Sequence, residues 1–269
     1  MSSKVAVITG ASRGIGARVA EMLAAEGAAV VVNYKKNAEL AEQIVAKLRT
    51  LGGDGVTVQA DVENPDEVRR IFDVAAEKYG RLDYFVNNAA AAAFKRILDL
   101  KPNHLDRSYA MNLRPFVLGA QEAVKLMDRG GRIVALTSYG SLHAYPTYAA
   151  LGSYKAAIES FIRYMAVEFA PYGINVNGVS GGLIESDSLH YFYERVPGQA
   201  PMQSVLVKIP LQRPGTVDEM AHAVMFLLGD KSSYITGQTL VVDGGLSVIA
   251  PPFWSETHAP LSLPERPHR

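Results

Sequence analysis

The chain has no cysteine among its 269 residues, which excludes disulfide bonds, thiolate nucleophiles and zinc sites built on cysteine. Neither sign of charge is in excess, since 27 basic side chains balance 27 acidic ones, so nucleic acid and anionic membranes are not expected as partners. The chain also lacks an apolar run long enough to span a membrane, and its N-terminus lacks a signal-peptide core. We therefore predict a cytoplasmic protein without a bound metal.

Short β-branched runs alternate along the chain with longer amphipathic stretches. The runs predict strands at Val5–Thr9, Ala29–Asn33, Val56–Gln59, Tyr84–Asn87, Arg132–Thr137, Asn175–Val179 and Thr239–Val242. The amphipathic stretches predict helices at Ile15–Glu26, Ala38–Leu51, Asp66–Tyr79, Leu105–Met127, Ala156–Ala170 and Val217–Leu228. Apolar strands separated by helices predict an α/β fold: a single-domain, Rossmann-like, doubly wound parallel sheet with helices on both faces.

Two segments interrupt this alternation. Residues 182–215, inside a predicted reductase domain of residues 1–249, are rich in aromatics and prolines and predict a mobile lid over an apolar ligand. Its apolar side chains either face an acyl chain or pack beneath the lid, and they are Tyr191, Phe192, Tyr193, Val196 and Met202. Residues 250–269 form a proline-rich tail with the single tryptophan, Trp254.

A glycine-rich segment, Thr9-Gly10-Ala11-Ser12-Arg13-Gly14-Ile15-Gly16, follows the first predicted strand and opens the first helix. Glycines let the chain turn sharply and let backbone amides approach a pyrophosphate, whose charge is stabilised at a helix N-terminus. The segment therefore predicts a dinucleotide site made by Gly10, Ser12, Arg13, Gly14, Ile15 and Gly16.

Further motifs extend this pattern over residues 4–247. They are Asp61-Val62 after the third strand, Asn87-Asn88-Ala89-Ala90 after the fourth, Asn112, Ser138, Lys155 and Asp243-Gly244-Gly245. Together with Thr-Gly-x-x-x-Gly-x-Gly, they resemble the short-chain dehydrogenase/reductase superfamily. Two positions depart from its usual pattern, Ala90 and the pair Gly181-Gly182, and neither departure removes a reacting group.

This resemblance implies roles for several side chains. Asp61, beside Val62, would face the adenine, and Asn88, beside Ala89, would support the fourth strand next to the cofactor. Asn112 would hold a water beside Lys155. Gly182, Ile184 and Ser186 match positions near the nicotinamide carboxamide.

The choice of cofactor is indicated at the end of the second predicted strand. A carboxylate there would bind the 2′-hydroxyl of NAD, but the chain reads Asn33-Tyr34-Lys35-Lys36. Arg13, Lys35 and Lys36 would instead place cations around a 2′-phosphate, with Asn33 and Lys35 at the strand end. The pattern favours NADPH, although each lysine is also consistent with a solvated surface position.

The position four residues before Lys155, where relatives carry a tyrosine, is Leu151. Tyr148 lies seven residues before Lys155, and at about 100° per residue that offset returns its side chain to the lysine's face of a helix. The hydroxyl then attaches roughly 4.5 Å further back along the helix axis. This leaves room for an enolate oxygen that lies away from the carbon accepting hydride, but it does not require one.

The Tyr-x6-Lys spacing, with Ser138-Tyr139, Leu151-Gly152, residues 163–166 and residues 179–182, is most similar to the NADPH-dependent enoyl-acyl-carrier-protein reductase III group. The resemblance implies that Tyr148 hydrogen-bonds the thioester carbonyl and enolate. Lys155 would bind the nicotinamide ribose and lower the pKa of that phenol. Tyr148 and Tyr139 are also consistent with buried aromatics, and Ser138 with a cap at the strand end. His143 and Tyr145 lie in the loop before Tyr148, where they either contact the substrate or, as we predict, face solvent.

Three functions remain open at this point. The first is reduction of trans-2-enoyl thioesters, carried by acyl carrier protein or coenzyme A, in fatty-acid or secondary-metabolite synthesis. The second is ketone reduction using Tyr148 or Tyr154, and the third is a catalytically silent NADPH-binding protein. The family resemblance also implies a homotetramer paired through the long helices around Leu105–Met127 and Ala156–Ala170.

Overall fold

The computed structural model describes residues 4–91, 93–128, 130–196 and 200–249. Its sheet is formed by β1 (Val5–Ile8), β2 (Ala29–Tyr34), β3 (Asp54–Gln59), β4 (Tyr84–Asn87), β5 (Arg132–Ser138), β6 (Asn175–Gly181) and β7 (Thr239–Val242). The strands pair in parallel in the order β3-β2-β1-β4-β5-β6-β7. The predicted fold class is confirmed, and the strand order reverses between β1 and β4, where such sheets bind ligands.

Helices connect and cover the strands. They are α1 (Gly14–Ala25), α2 (Ala38–Thr50), α3 (Pro65–Tyr79), α4 (Pro102–Ser108), α5 (Arg114–Leu126), α6 (Ala149–Phe169), α7 (Asp187–Arg195), α8 (Met202–Leu206) and α9 (Val217–Leu228). Among the residues described, no helix is both long enough and apolar enough to cross a bilayer. The predicted tail of residues 250–269, with Trp254, lies outside the described residues.

Two apolar layers hold the helices against the sheet. One layer, centred on Phe85 and Phe116, lies beneath α3, α5 and α6. The Phe72 and Phe85 rings meet edge to face there, with centroids 5.2 Å apart. The other layer includes Leu23, Leu48 and further aliphatic side chains of α1, α2 and α9. Because both faces are covered, the central strands are apolar on both sides, as their sequences predicted.

Residues at the ends of α3 and α9 cap these helices, because the backbone groups there have no hydrogen-bond partner within the helix. Asn64 accepts a hydrogen bond from the Asp66 N–H at the start of α3, and Gly80 ends that helix with φ 71°. Thr216 and Glu219 form a reciprocal capping box at the start of α9.

Two predicted helices differ from the observed ones. The segment Leu105–Met127 is divided into α4, a π-helical turn at Tyr109–Leu113 and α5. Pro115, in the first turn of α5, has no N–H to donate, so the regular α-helical bonding cannot run through this point. The helix predicted at Ala156–Ala170 begins earlier, at Ala149, with Tyr148 as its N-cap.

Candidate active site

The glycine-rich loop joins β1 to the N-terminus of α1. Gly10 and Gly14 adopt φ angles of 64° and 58°, which residues other than glycine rarely adopt. A Cβ at Gly16 would lie 2.6 Å from Asn88 Nδ2 and 2.9 Å from the Gly10 carbonyl oxygen. The glycines therefore allow the loop to turn and α1 to pack tightly beneath it.

Two buried or partly buried asparagines hold the loop in this shape. The Asn33 side-chain oxygen accepts the Gly10 N–H at 3.1 Å, and its amide donates to the Ala60 carbonyl at 3.1 Å. The Asn88 amide donates to the carbonyls of Thr9 at 2.9 Å and Gly10 at 3.0 Å. Asn33 and Asn88 thus shape the cofactor loop by binding its backbone.

A cavity of about 720 Å³ opens in front of this loop at the carboxyl ends of β1, β2 and β4. The predicted cofactor residues that line it are Gly10, Ser12, Arg13, Gly14, Ile15, Asn33, Lys35, Val62, Asn88, Ala89 and Ser186. Gly16 lies buried beneath the loop, and Asp61 lines a separate hollow with Lys35. We refer to this space as the nucleotide cavity.

The cations predicted for a 2′-phosphate already have carboxylate partners. Arg13 Nη1 lies 2.9 Å from Asp187 Oδ2, at the first residue of α7. Lys35 Nζ lies 2.7 Å from Asp61 and 2.9 Å from Glu63. The hydrogen bond that Lys35 donates to Asp61 raises the pKa of Lys35. Burial acts to raise the pKa of Asp61, but bonding to Lys35 lowers it overall.

Sequence reasoning missed these pairings. The acids that follow β3 were a visible signal, because β2 and β3 are neighbours and their carboxyl ends meet at one edge. Asp187 gave no such signal, since it lies 174 residues from Arg13 along the chain. The Arg13–Asp187 pair is exposed at the surface, so a phosphate can compete for Arg13 at small cost, whereas the carboxylates that pair with Lys35 are partly buried.

A second cavity, of about 290 Å³, adjoins the first and is referred to here as the reaction cavity. Tyr148, Lys155 and Ser138 line it, as do the predicted cofactor residues Gly182, Ile184 and Ser186. Ile15, Asn88 and Ser186 line both cavities. A ligand in the nucleotide cavity can therefore reach the phenol and ammonium groups.

Two glycines leave the space in which the ring of Tyr148 packs. A Cβ at Gly140 would lie 2.5 Å from the Tyr148 ring, and a Cβ at Gly152 would collide with the Gly140 carbonyl. The loop after β5 can therefore pack directly against the first turn of α6. The Tyr148 hydroxyl donates to Ser138 Oγ at 3.2 Å. Burial raises the pKa of Tyr148, so the phenol stays protonated at neutral pH and can donate a hydrogen bond.

Lys155 lies inside the fold with 4% of its surface exposed. Its ammonium group donates to the Leu136 carbonyl at 2.6 Å. Burial lowers its pKa from the ordinary 10.5 to about 8, opposed by the charge of Glu159 one turn later. Burial dominates the pKa of Tyr148, and the hydrogen bond to Ser138 acts in the opposite direction. A lowering of the pKa of Tyr148 by Lys155 stays a prediction.

Asn112 lies in the π-helical turn, fully buried. Its amide donates to the carbonyls of Ala91 and Ser108, both at 2.8 Å. Its side-chain oxygen has no hydrogen-bond partner within the described part of the chain. Asn112 lines neither cavity, so its effect on the site passes through the loop after β4.

Aromatic side chains that sequence reasoning did not bring together enclose the Tyr148 ring. This aromatic cluster consists of Phe94, Tyr145, Tyr148 and Phe192, which come from three separate segments. Their ring centroids lie 5.8 Å (Phe94), 4.3 Å (Tyr145) and 6.2 Å (Phe192) from that of Tyr148. The prediction that Tyr145 faces solvent is wrong, because its ring is partly buried in the reaction cavity.

The lid residues divide between the two predicted arrangements. Phe192 of α7 lines the reaction cavity, whereas Val196 is buried and Tyr191 is 57% exposed. Tyr193 contacts Phe192 edge to face at 5.5 Å, and neither Tyr193 nor Met202 lines the cavity. Phe192 is therefore the lid aromatic closest to the candidate chemistry.

The family described as "Enoyl-(Acyl carrier protein) reductase" matches residues 10–247. The chain belongs to this family. The 1-cyclohexenylcarbonyl-CoA reductase of Streptomyces collinus is 67% identical to this chain, and the match covers 99% of this chain and 95% of the relative. Versicolorin reductase stcU of Emericella nidulans is 36% identical, covering 91% of this chain and 96% of its own.

Solved structures of short-chain dehydrogenases are similar to this chain over most of its length. A short-chain dehydrogenase from Burkholderia cenocepacia, in complex with NADP, aligns with a TM-score of 0.83 at 33% identity over 91% of this chain and 98% of its own. A Serratia marcescens short-chain dehydrogenase/reductase mutant aligns at 0.84 and 32% identity, with the same coverage. The predicted membership of the enoyl-acyl-carrier-protein reductase family, within the short-chain dehydrogenase/reductases, is confirmed, and the chain is a reductase of this type.

Proposed function

We propose that the protein reduces the carbon–carbon double bond of an enoyl thioester carried by coenzyme A, with NADPH as reductant. The observation that carries this proposal is the position of the phenol. Tyr148 supplies it to the reaction cavity, while Leu151 occupies the position from which related reductases supply theirs. The 67% identity with a reductase named for a cyclohexenylcarbonyl-CoA substrate supports the same chemistry.

The residues of the nucleotide cavity fit NADPH. Gly16 has no space for a Cβ, and the loop above it presents the N-terminus of α1 to a pyrophosphate. Arg13, Lys35 and Lys36 line the cavity and would hold the 2′-phosphate, Arg13 by exchanging Asp187 for it. NADPH, when bound, supplies the hydride. NADH has no 2′-phosphate for these cations to bind.

The chain's own groups would act on the thioester oxygen and the cofactor ribose. The Tyr148 hydroxyl, protonated because it is buried, would turn from Ser138 to the thioester oxygen and stabilise the negative charge that develops there when hydride reaches the β-carbon. A proton from solvent at the α-carbon would then complete the reduction. Lys155 would bind the ribose hydroxyls through its remaining N–H groups while the Leu136 carbonyl holds it in place. Phe192 and Phe94 exclude water from the phenol.

We also propose a ring-bearing acyl group as a substrate. The walls of the reaction cavity include Phe94, Tyr145 and Phe192, whose rings pack around the ring of Tyr148. A planar cyclic alkene conjugated to the thioester would pack against these rings and keep its carbonyl at the phenol. A straight short acyl chain would leave part of this apolar surface uncovered, so we expect it to bind less tightly.

The proposal is tested by following oxidation of NADPH with three thioesters: 1-cyclohexenylcarbonyl-CoA, crotonyl-CoA and acetoacetyl-CoA. We expect the highest kcat/KM with the cyclic enoyl thioester, lower activity with crotonyl-CoA and little with the ketoester. Mass spectrometry of the product should show addition of two hydrogens to the acyl group. Turnover of acetoacetyl-CoA alone would overturn the proposal in favour of ketone reduction, and NADPH binding without any turnover would favour a silent binding protein.

The carrier, the assembly and the location are part of the same proposal. We propose coenzyme A as carrier, with acyl carrier protein as the alternative that the family description raises. We also propose that the protein forms a homotetramer and that it is located in the cytoplasm. Side-by-side kinetics with matched CoA and acyl-carrier-protein thioesters would decide the carrier, and sedimentation equilibrium would decide the assembly.

A further inference from the structure

Two phenylalanines from separate segments meet at the reaction cavity. The rings of Phe94 and Phe192 lie edge to face, with centroids 5.1 Å apart and 70° between the ring planes. Both side chains line the cavity, and both residues are half-buried. Each ring also contacts the ring of Tyr148, at 5.8 Å and 6.2 Å. This contact, which we refer to as the phenylalanine pair, therefore joins the loop after β4 to α7 beside the phenol.

Phe94 belongs to a loop that otherwise places small apolar side chains at the cavity. Ala90, Ala91 and Phe94 line it, so Phe94 is the one large apolar side chain among the described residues of this loop that does so. The Lys95 N–H donates to the Thr147 carbonyl at 3.1 Å, which ties the loop to the segment before α6. Thr147 adopts φ 67°, a left-handed conformation that persists only where its surroundings impose it. The backbone beside Phe94 is therefore held in place.

Phe192 belongs to a helix that packs less tightly. None of the nine residues of α7 is buried. The Arg13–Asp187 ion pair, which joins the start of α7 to the glycine-rich loop, is exposed. Elements with few buried contacts open at a lower free energy than the rest of a fold. The phenylalanine pair therefore sets one ring on a fixed loop against another on an element that opens more easily.

The space beside the pair is small. The reaction cavity has a volume of about 290 Å³, at the lower end of the range of roughly 300 to 1,000 Å³ for small-molecule sites. Gly182, Ile184 and Ser186, which are expected near the nicotinamide, line the same cavity, so the cofactor would take part of this volume. A six-membered ring keeps its carbons close to the carbonyl group, whereas a straight chain with the same number of carbons extends further.

We infer that Phe94 and Phe192 set the upper limit on the size of the acyl group. Their contact leaves space for a short or single-ring enoyl group, whereas a longer straight chain has to separate the two rings. Because packed side chains leave few voids and resist added volume, this separation lowers the affinity for longer chains. The inference rests on the proposed function, and it adds a limit on acyl size and the two residues that set it.

The first test compares trans-2-octenoyl-CoA with crotonyl-CoA in the wild-type protein and in Phe94→Ala. We expect the ratio of kcat/KM for octenoyl-CoA to that for crotonyl-CoA to rise at least about tenfold in the variant, the effect of a methylene group in an apolar pocket. A general structural defect would lower both values and leave their ratio unchanged. An unchanged ratio would overturn the inference, even if both values rose, since the ring would then obstruct the carrier that the two thioesters share.

Tyr191→Ala is the matched control. It removes a ring from the same helix as Phe192, and that ring contacts Phe94 at 6.3 Å but does not line the reaction cavity. We expect the ratio to stay within about twofold of the wild-type value. A rise as large as that in Phe94→Ala would show that any loosening of α7 admits longer chains, and the inference would fail.

The two rings should act as one barrier. Phe192→Ala should raise the ratio as Phe94→Ala does. The double variant should exceed the larger single effect by no more than about threefold, because either change already removes the contact. Fully additive gains would refute a limit set by the contact between the two rings.

The last test does not depend on turnover. Octanoyl-CoA and butanoyl-CoA have no double bond to reduce, so titration calorimetry can measure their binding to the protein loaded with NADP⁺. In Phe94→Ala we expect the affinity for octanoyl-CoA to rise at least about tenfold relative to that for butanoyl-CoA. An unchanged relative affinity would refute the limit on acyl size. If the affinity shifts as expected but no enoyl thioester is reduced, the proposed function fails and the limit on acyl size is supported.

Discussion

The nucleotide cavity and the reaction cavity adjoin each other, but their charged side chains differ in exposure and in whether they are paired with a carboxylate. At the nucleotide cavity the ion pairs lie at the surface, and the side chains of Arg13 and Asp187 are 63% and 72% exposed. In the reaction cavity the single ammonium group, Lys155, is 4% exposed and has no carboxylate within ion-pair distance among the described residues. Exposed ion pairs exchange partners with little change in free energy, whereas desolvation of a buried charge lowers the stability of the folded protein.

This contrast indicates where each part of the site draws its selectivity. The surface cations can bind a phosphate by giving up a carboxylate, so they select the cofactor by charge. The buried phenol and ammonium cannot change partners freely, so they act by fixed geometry. We therefore expect substitutions in the reaction cavity to affect kcat, and substitutions in the nucleotide cavity to affect cofactor affinity.

The largest expected effect follows from Tyr148→Phe. Removing the hydroxyl that would meet the thioester oxygen should lower kcat by at least about 100-fold, the usual range for a hydrogen-bond donor at a developing oxyanion. The dissociation constant for NADPH, measured by fluorescence, should change by less than about twofold, because the phenol lies outside the nucleotide cavity. A variant that keeps most of its activity would show that another group serves the thioester oxygen.

Lys155→Met should lower kcat by about 10- to 100-fold, because it removes charged hydrogen bonds to the cofactor. The same change should stabilise the protein without ligand by about 2 kcal/mol at pH 7, since methionine needs no solvation in this buried position. Chemical denaturation monitored by circular dichroism measures this difference. Lys125→Met, at an exposed lysine paired with Glu122, serves as the control and should bring no gain.

The pH dependence of that stability gain has a definite sign. The pKa of Lys155 is about 8 in the folded protein and about 10.5 when unfolded, so between these values the unfolded chain binds more protons. The wild-type protein should therefore become more stable relative to the methionine variant as pH rises from about 8 to about 10.5. A gain that stays constant across this window would mean that Lys155 is not desolvated.

Arg13→Ala should weaken binding of NADPH about tenfold and leave binding of NADH nearly unchanged, because only NADPH carries the 2′-phosphate. Arg18→Ala is the matched control, since Arg18 lies five residues later, within α1, and binds Asp218 and Glu21. Titration calorimetry with each cofactor gives both affinities. Equal weakening for NADH and NADPH would place Arg13 at another part of the nucleotide.

The smallest expected effect is that of Leu151→Tyr. This change restores the phenol found in related reductases, but it should alter kcat for the enoyl thioester by no more than about threefold, under 1 kcal/mol. The reason is that Tyr148 already occupies the bonding position beside Ser138. A large gain in enoyl reduction would mean that Leu151, not Tyr148, marks the reacting position.

Much of the fold could be predicted locally. The seven strands were found from their apolar runs, because buried parallel strands need continuous apolar sequence. The helix predicted at Leu105–Met127 was wrong in its continuity, since hydrophobic periodicity continues through the π-helical turn even where the backbone bonding changes. The start of α6 was missed because small residues such as Ala149 and Gly152 carry little periodic signal.

The candidate site was predicted only where its parts are close in sequence. The glycine loop and the Tyr148–Lys155 spacing are each contained within eight residues, so their geometry follows from one turn or one helix. The partners of Arg13 and the rings around Tyr148 come from distant segments, and no local pattern relates them.

The sequence by itself therefore determined the sheet, the nucleotide-binding loop and the presence of a phenol and an ammonium group near one another, because these depend on periodicity and backbone conformation within short segments. The tertiary structure alone decided that Phe94, Tyr145 and Phe192 pack around the ring of Tyr148 and that Lys155 is buried. These features arise where loops after different strands meet at one edge of the sheet, and burial there sets both the hydrogen bonding and the pKa of each group.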